Sequence, residues 1–155
     1  MNSLSSELIT LGADVGGKDA FNATNDDVLA LRRLLRGVNQ SSPIDIDAPA
    51  HRLLKEISLI LRIDGAVQAW GQTGVSNVAI NTKRSIATAD IFVPAAVWKG
   101  EGPFSVRQFL VNQTKMAIRL VTEAARKHGF ALNSKHLEYS IEKVAEKYRQ
   151  EGSDR

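Results

Sequence analysis

The chain has 155 residues, is 43% hydrophobic, contains no cysteine, and carries 20 basic against 17 acidic side chains for a net charge of +3. That is enough chain for one domain with a core, and it excludes disulfides, thiolate chemistry and cysteine-ligated zinc. The charge is weaker than that of a dedicated nucleic-acid binder, and no run approaches the ~20 apolar residues of a membrane span.

The opening MNSLSSELITLG lacks a basic stretch followed by a long apolar one, so it does not read as a secretion signal, and the expected location is cytoplasmic. Met1 to Ala23, with Gly12, Gly16 and Gly17 and little periodicity, reads as irregular chain. Thr24 or Asn25 can cap a helix from Asp26, whose apolar stripe is Val28, Leu31, Leu34 and Leu35 and whose end is Gly37. SSPIDIDAPA, Ser41 to Ala50, is a connector. Residues 1–50 are thus an N-terminal extension with one helix and a linker, and 51–155 an α+β core, within a single domain overall.

Ile57, Leu59, Leu61 and Ile63 alternate, which predicts a strand over about Glu56 to Ile63. Asp64-Gly65 suits a two-residue hairpin turn, giving a second strand at about Ala66 to Trp70. GQTG turns again, and a third strand runs about Val75 to Thr82. Lys83-Arg84 turns into a fourth, Ser85 to Val93, which Pro94 stops. Ser105 with Gln108 forms a capping box, and Phe104 with Phe109 a staple, for a helix ending at His128-Gly129. Asn133 or Ser134 starts a second helix with the stripe Leu137, Ile141, Val144, Ala145 and Tyr148, and the tail after Gln150 frays. The expected fold is α+β: a four-stranded antiparallel β-meander, two C-terminal helices packed on one face, and an N-terminal helical extension.

The Lys83-Arg84 turn sets Ile80 opposite Ala87, Val78 opposite Ala89 and Asn77 opposite Asp90. One face is then apolar and alanine-rich. The other carries Asn77, Ala79, Asn81, Ile86, Thr88, Asp90 and Phe92, with Ser58, Ile60 and Arg62 from the first strand. Asp90 falls beside an asparagine that can donate to it. This mixed face is either solvated or helix-covered, or it is a partner-binding surface made of Arg62, Asn77, Asn81, Thr88, Asp90 and Phe92.

Chemical motifs are sparse. His51, His128 and His136 have no metal-ligand spacing, and His128 reads as a helix C-terminal residue. Gly16-Gly17-Lys18 lacks the spacing of a phosphate loop. Asp45 and Asp47 could bind a metal as a pair, but a proline-flanked acidic loop is more often simply solvated. Neither a cofactor nor a metal is expected. Lys115, Arg119, Arg126 and Lys127 line one flank of the long helix and are the alternative, nucleic-acid-binding set. Against it, Glu123 lies four residues from both Arg119 and Lys127, and no aromatic is interleaved. Trp70 reads as core, and Trp98 as a lid over the helix-covered face or an interface anchor.

The run SLILRIDGAVQAWGQTGVSNVAINTKRSIATADIFVPAAVW, followed by two amphipathic helices, resembles small immunity proteins of bacterial polymorphic-toxin and contact-dependent-inhibition systems. The elements that carry the resemblance are Asp64-Gly65, Trp70-Gly71, Gly74 to Asn77, and Asp90-Ile91 through Pro94 to Trp98. With the helices it spans roughly Glu56 to Arg149. It implies a non-catalytic cytosolic inhibitor whose partner is one cognate toxin domain, blocked sterically. Immunity proteins against basic nucleases are often acidic, so a net charge of +3 argues against a basic nuclease as target. The alternatives are a nucleic-acid-associated module and a small enzyme built on Asp90 and a histidine.

Overall fold

A computed structural model describes residues 8–16, 26–38, 52–64, 74–94, 105–132 and 134–153. In chain order the elements are β1 (Ile9–Gly16), α1 (Asp26–Leu35), β2 (Arg52–Leu53), β3 (Glu56–Asp64), β4 (Val75–Asn81), β5 (Ile86–Pro94), α2 (Val106–Lys127), β6 (Phe130–Ala131) and α3 (Ser134–Ser153). The class is α+β. Among the described residues, three helices accompany a four-stranded mixed sheet in the order β1-β3-β5-β4.

β3 is an inner strand, and its neighbours explain the sheet. It runs parallel to β1, with Ile57 opposite Ile9, and parallel to β5, with Ile57 opposite Ala87 and Ile63 opposite Val93. Among the described strands, only β4 and β5 pair antiparallel. This corrects the antiparallel meander that the turn signals suggest. Parallel neighbours cannot be joined by a tight turn and need a crossover, and α1 lies in the connection from β1 to β3. Both edges of β3 are occupied along its length. The expected second strand at 66–70 lies outside the described residues. The Gly65 end of the expected turn, Trp70, Trp98, Phe104, His51, Asp45, Asp47, Gly17 and Lys18 lie outside the described residues.

β1 corrects the reading of Met1 to Ala23 as irregular chain. Its Ile9 and Leu11 point into the core and are almost fully buried. A second departure is the two-residue pairing of β2 with β6, parallel, which ties the end of α2 to the start of β3.

The β4–β5 hairpin keeps the expected pair Ile80–Ala87, with Asn81 opposite Ile86. Its turn places Ser85 in the left-handed region at φ 60°. Between Ser76 and Ala79 the register shifts by one residue, and Asn77 sits there at φ 55°. This β-bulge corrects the expected pairing beyond Ile80: Ser76 rather than Asn77 stands opposite Asp90, and Val75 stands opposite Ile91.

α2 starts as its sequence predicts, for the Ser105 hydroxyl accepts from the Gln108 N–H at 3.0 Å. The return arm of the capping box is replaced, because the Gln108 amide donates to Asn112 at 2.9 Å. The helix ends at His128, and Gly129 follows at φ 85°, where a side chain would be strained. α3 continues to Ser153, past the fraying expected after Gln150.

Ile57, Leu59, Leu61, Ala87, Ala89, Ile91 and Val93 are fully buried on one side of the sheet. They share a single cluster with Val28, Leu31 and Leu35 of α1, Leu110, Ala117 and Val121 of α2, and Leu137, Ile141 and Tyr148 of α3. Each large member contributes about 1.5–3 kcal/mol by leaving water. α2 packs on β4 and β5, where the small side chains of Ala87 and Ala89 let a helix approach, and α3 packs on α1 and α2. One polar knot joins the helices. The Arg107 Nε donates to Asp27 at 2.7 Å, its Nη1 donates to the Tyr148 carbonyl at 2.7 Å, and its guanidinium lies 4.4 Å from the Tyr148 ring centre. The Tyr148 hydroxyl in turn donates to the Asp27 carbonyl at 2.7 Å.

Candidate functional site

Strand pleating sends alternate residues to the side of the sheet opposite the core. That outer face carries Thr10 and Gly12 of β1, Glu56, Ser58, Ile60 and Arg62 of β3, and Ile86, Thr88, Asp90 and Phe92 of β5. Apart from Asp90, these residues are neither buried nor fully exposed.

Asp90 is the focus of the face, with a relative exposure of 9%. Asn77 donates its amide to Asp90 Oδ2 at 2.7 Å, and Arg62 Nε lies 3.4 Å from Oδ1. Each contact has a local cause. Ile60 stands directly opposite Asp90, so Arg62, two residues on, reaches back along the diagonal. The bulge turns Asn77 so that its amide meets the carboxylate although Ser76 holds the opposite position. The carboxylate is thus held by one donor from each flanking strand.

The other sequence candidates divide. Thr88 and Phe92 flank Asp90 on β5, two residues to either side. Arg62 stands opposite Phe92, and Thr88 opposite Ser58 and Ala79. Asn81 is exposed at the hairpin end, where its side-chain oxygen accepts from the Arg84 N–H at 3.0 Å, so it shapes the turn rather than the cluster. Ser76 is the residue that sequence reasoning leaves out, because only the bulge puts it opposite Asp90. The two described histidines lie elsewhere. His128 closes α2 with Nδ1 2.9 Å from the Ala124 carbonyl oxygen, and His136 is on α3. Among the described residues, no three His, Asp or Glu side chains gather as a metal site. No described helix is long and apolar enough to cross a membrane.

The four basic residues of the α2 flank differ in their surroundings. Lys115 bonds Glu142 of α3 at 2.9 Å. That hydrogen bond, with the positive charges of Lys115 and Arg149, holds the Glu142 carboxyl below its ordinary value of 4.5. Arg119, Arg126 and Lys127 are exposed. Among the described residues no ion pair joins Glu123 to Arg119 or Lys127, the pairing that their spacing suggests, and Lys115 finds its acid across the helix pair. Lys115 and Arg119 form one wall of a groove of about 130 Å³ between α2 and α3, with Glu138 and Glu142 on the other.

Comparison with family models, with curated proteins and with solved structures finds no match for this chain.

Proposed function

We propose that this protein is a non-catalytic protein-binding inhibitor that docks its partner on the outer face of the sheet. The partner is a cognate bacterial toxin domain, the kind of partner that the resemblance to immunity proteins implies. The observation that carries the reading is the Arg62–Asp90–Asn77 cluster, which fixes a charged centre among the partly exposed apolar groups Ile60, Ile86 and Phe92. A preorganised polar centre in an apolar surround lowers the ordering cost of association, and arginines and aromatics dominate the energetics of protein interfaces. Inhibition is steric and needs no chemistry from this chain.

The test is growth protection in a host expressing a candidate toxin domain drawn from the neighbouring genes, together with affinity for that domain once purified. Arg62→Glu and Asp90→Lys are expected to weaken binding by about 2–5 kcal/mol, with Arg119→Glu unaffected. Melting temperatures separate lost contact from lost fold. Loss confined to Arg119→Glu would move the surface to the helices. Salt-dependent binding of nucleic acid, with no toxin bound, would favour the nucleic-acid reading instead.

A further inference from the structure

We propose that the groove between α2 and α3 binds a free α-amino acid with an aliphatic side chain. The groove lies on the helical layer and is separate from the outer sheet face. Its apolar part comes from Ile118, Leu137 and Ile141, each at most 4% exposed. Thr122 also lines it, but its hydroxyl donates to the Arg119 carbonyl of its own helix at 2.9 Å, so it offers the groove little polarity. One end is closed by the Lys115–Glu142 bridge.

Arg119 of α2 and Glu138 of α3 line the same groove, and among the described residues they form no ion pair with each other. The two walls therefore present a cation and an anion across a gap that direct contact does not close. A zwitterion carries both complementary charges on one carbon and can span such a gap. Its carboxylate takes the fork of the Arg119 guanidinium, a geometry that arginine favours. Its ammonium donates to Glu138, and its side chain lies over Ile118, Leu137 and Ile141. The space of about 130 Å³ fits a few carbon atoms. It is small beside the roughly 300–1,000 Å³ of a site for a drug-sized ligand, so a nucleotide or long peptide does not fit.

The experiment titrates the full chain with L-leucine and follows backbone amide NMR shifts. The expected result is saturable shifts confined to the groove-lining stretches 115–122 and 137–142, with Kd about 1 mM, a value in keeping with so small a ligand. 4-Methylpentanoate, which lacks the ammonium, and isopentylamine, which lacks the carboxylate, should each bind about tenfold more weakly, and Arg119→Gln and Glu138→Gln should each weaken leucine binding by about tenfold at unchanged melting temperature. Absence of leucine-dependent shifts in these stretches overturns the proposal. So does an equal response to leucine and 4-methylpentanoate, or unchanged affinity in both variants. None of these results bears on the toxin reading, whose test uses the other face.

Discussion

Two arginines in this protein each meet an aspartate, and they differ in where they do it. Arg107, between the helices, has a side chain 11% exposed, whereas Arg62, on the outer sheet face, is 36% exposed. Arg107 gives its Nε to Asp27 and its Nη1 to the Tyr148 carbonyl, and stacks on the Tyr148 ring. Arg62 touches Asp90 at the longer distance of 3.4 Å. The chemistry is shared and the burial is not. A buried guanidinium sits where water cannot easily reach it, whereas the more open Arg62 can be rehydrated, although its partner Asp90 at 12% is less exposed than Asp27 at 22%. Arg107 is thus tied to the packing of the helices, while Arg62 keeps more of its side chain in solvent on the outer face.

The largest expected effect tests the first half of that comparison. Arg107→Ala should destabilise the protein by about 3 kcal/mol, the low end for a broken buried pair, because Asp27 keeps some solvent. Arg107→Lys should recover little of this, since one ammonium cannot reproduce two diverging donors and a stacked plane. Urea unfolding of both variants measures it. A cost under about 1 kcal/mol for Arg107→Ala would put this knot in the same class as the Arg62 pair.

The second cluster should cost less. Asp90→Ala is expected to lower stability by about 1–2 kcal/mol, because Asn77 and Arg62 both reach water once the carboxylate is gone. Asn77→Ala should cost no more than that. If either loss matched that of Arg107→Ala in the same unfolding experiment, the outer cluster would be structural first, and its use in recognition would lose its support.

The two clusters also differ in how far the sequence disclosed them. Asn77 and Asp90 are 13 residues apart across one hairpin, so a turn and a period of two are enough to bring them to one face. The bulge changes which residue stands opposite Asp90 but not which one bonds it. Arg62 meets Asp90 only because β3 and β5 are parallel neighbours, and alternation says which way a side chain points, never which strand lies beside it. Asp64-Gly65 read as a hairpin signal gave β3 the wrong neighbour. β1 carried a usable signal, the alternation of Ile9, Leu11, Ala13 and Val15, masked by Gly12 and Gly16, which are poor strand residues. The helices were legible from caps and stripes. Their mutual contacts were not: Lys115 and Glu142 are 27 residues apart, and Arg107 and Asp27 are 80 apart.

A buried group with no partner sharpens the comparison from the opposite side. The Thr114 hydroxyl, on the inner face of α2 and 2% exposed, has no hydrogen-bond partner among the described residues. Arg107 is buried and satisfied, whereas Thr114 is buried and unsatisfied, so its removal should help. Thr114→Val keeps the branched shape and deletes the hydroxyl, and it is expected to raise stability by about 1 kcal/mol. A loss in the same unfolding assay would mean that the hydroxyl is bonded in solution.

The smallest effect belongs to the most exposed pair, Lys115–Glu142, with side chains 33% and 56% exposed. The hydrogen bond from Lys115 holds the Glu142 carboxyl below 4.5. A carboxylate whose pKa is depressed on folding contributes stability that is fully present above the unfolded-state value and is lost as pH falls through the lowered folded value. Solvent screens this pair, so Glu142→Gln should cost at most about 0.5 kcal/mol near neutral pH. The gap between wild type and variant should narrow as pH falls below 4.5 and close once the folded carboxyl is protonated. High salt should narrow it at neutral pH as well. The measurement is urea unfolding of both proteins across the acid range at low and high salt. A gap that widens on acidification would reverse the sign of the linkage. One that ignores salt would show that Glu142 acts through packing in the groove wall, which would place it nearer to Arg107 than to Arg62.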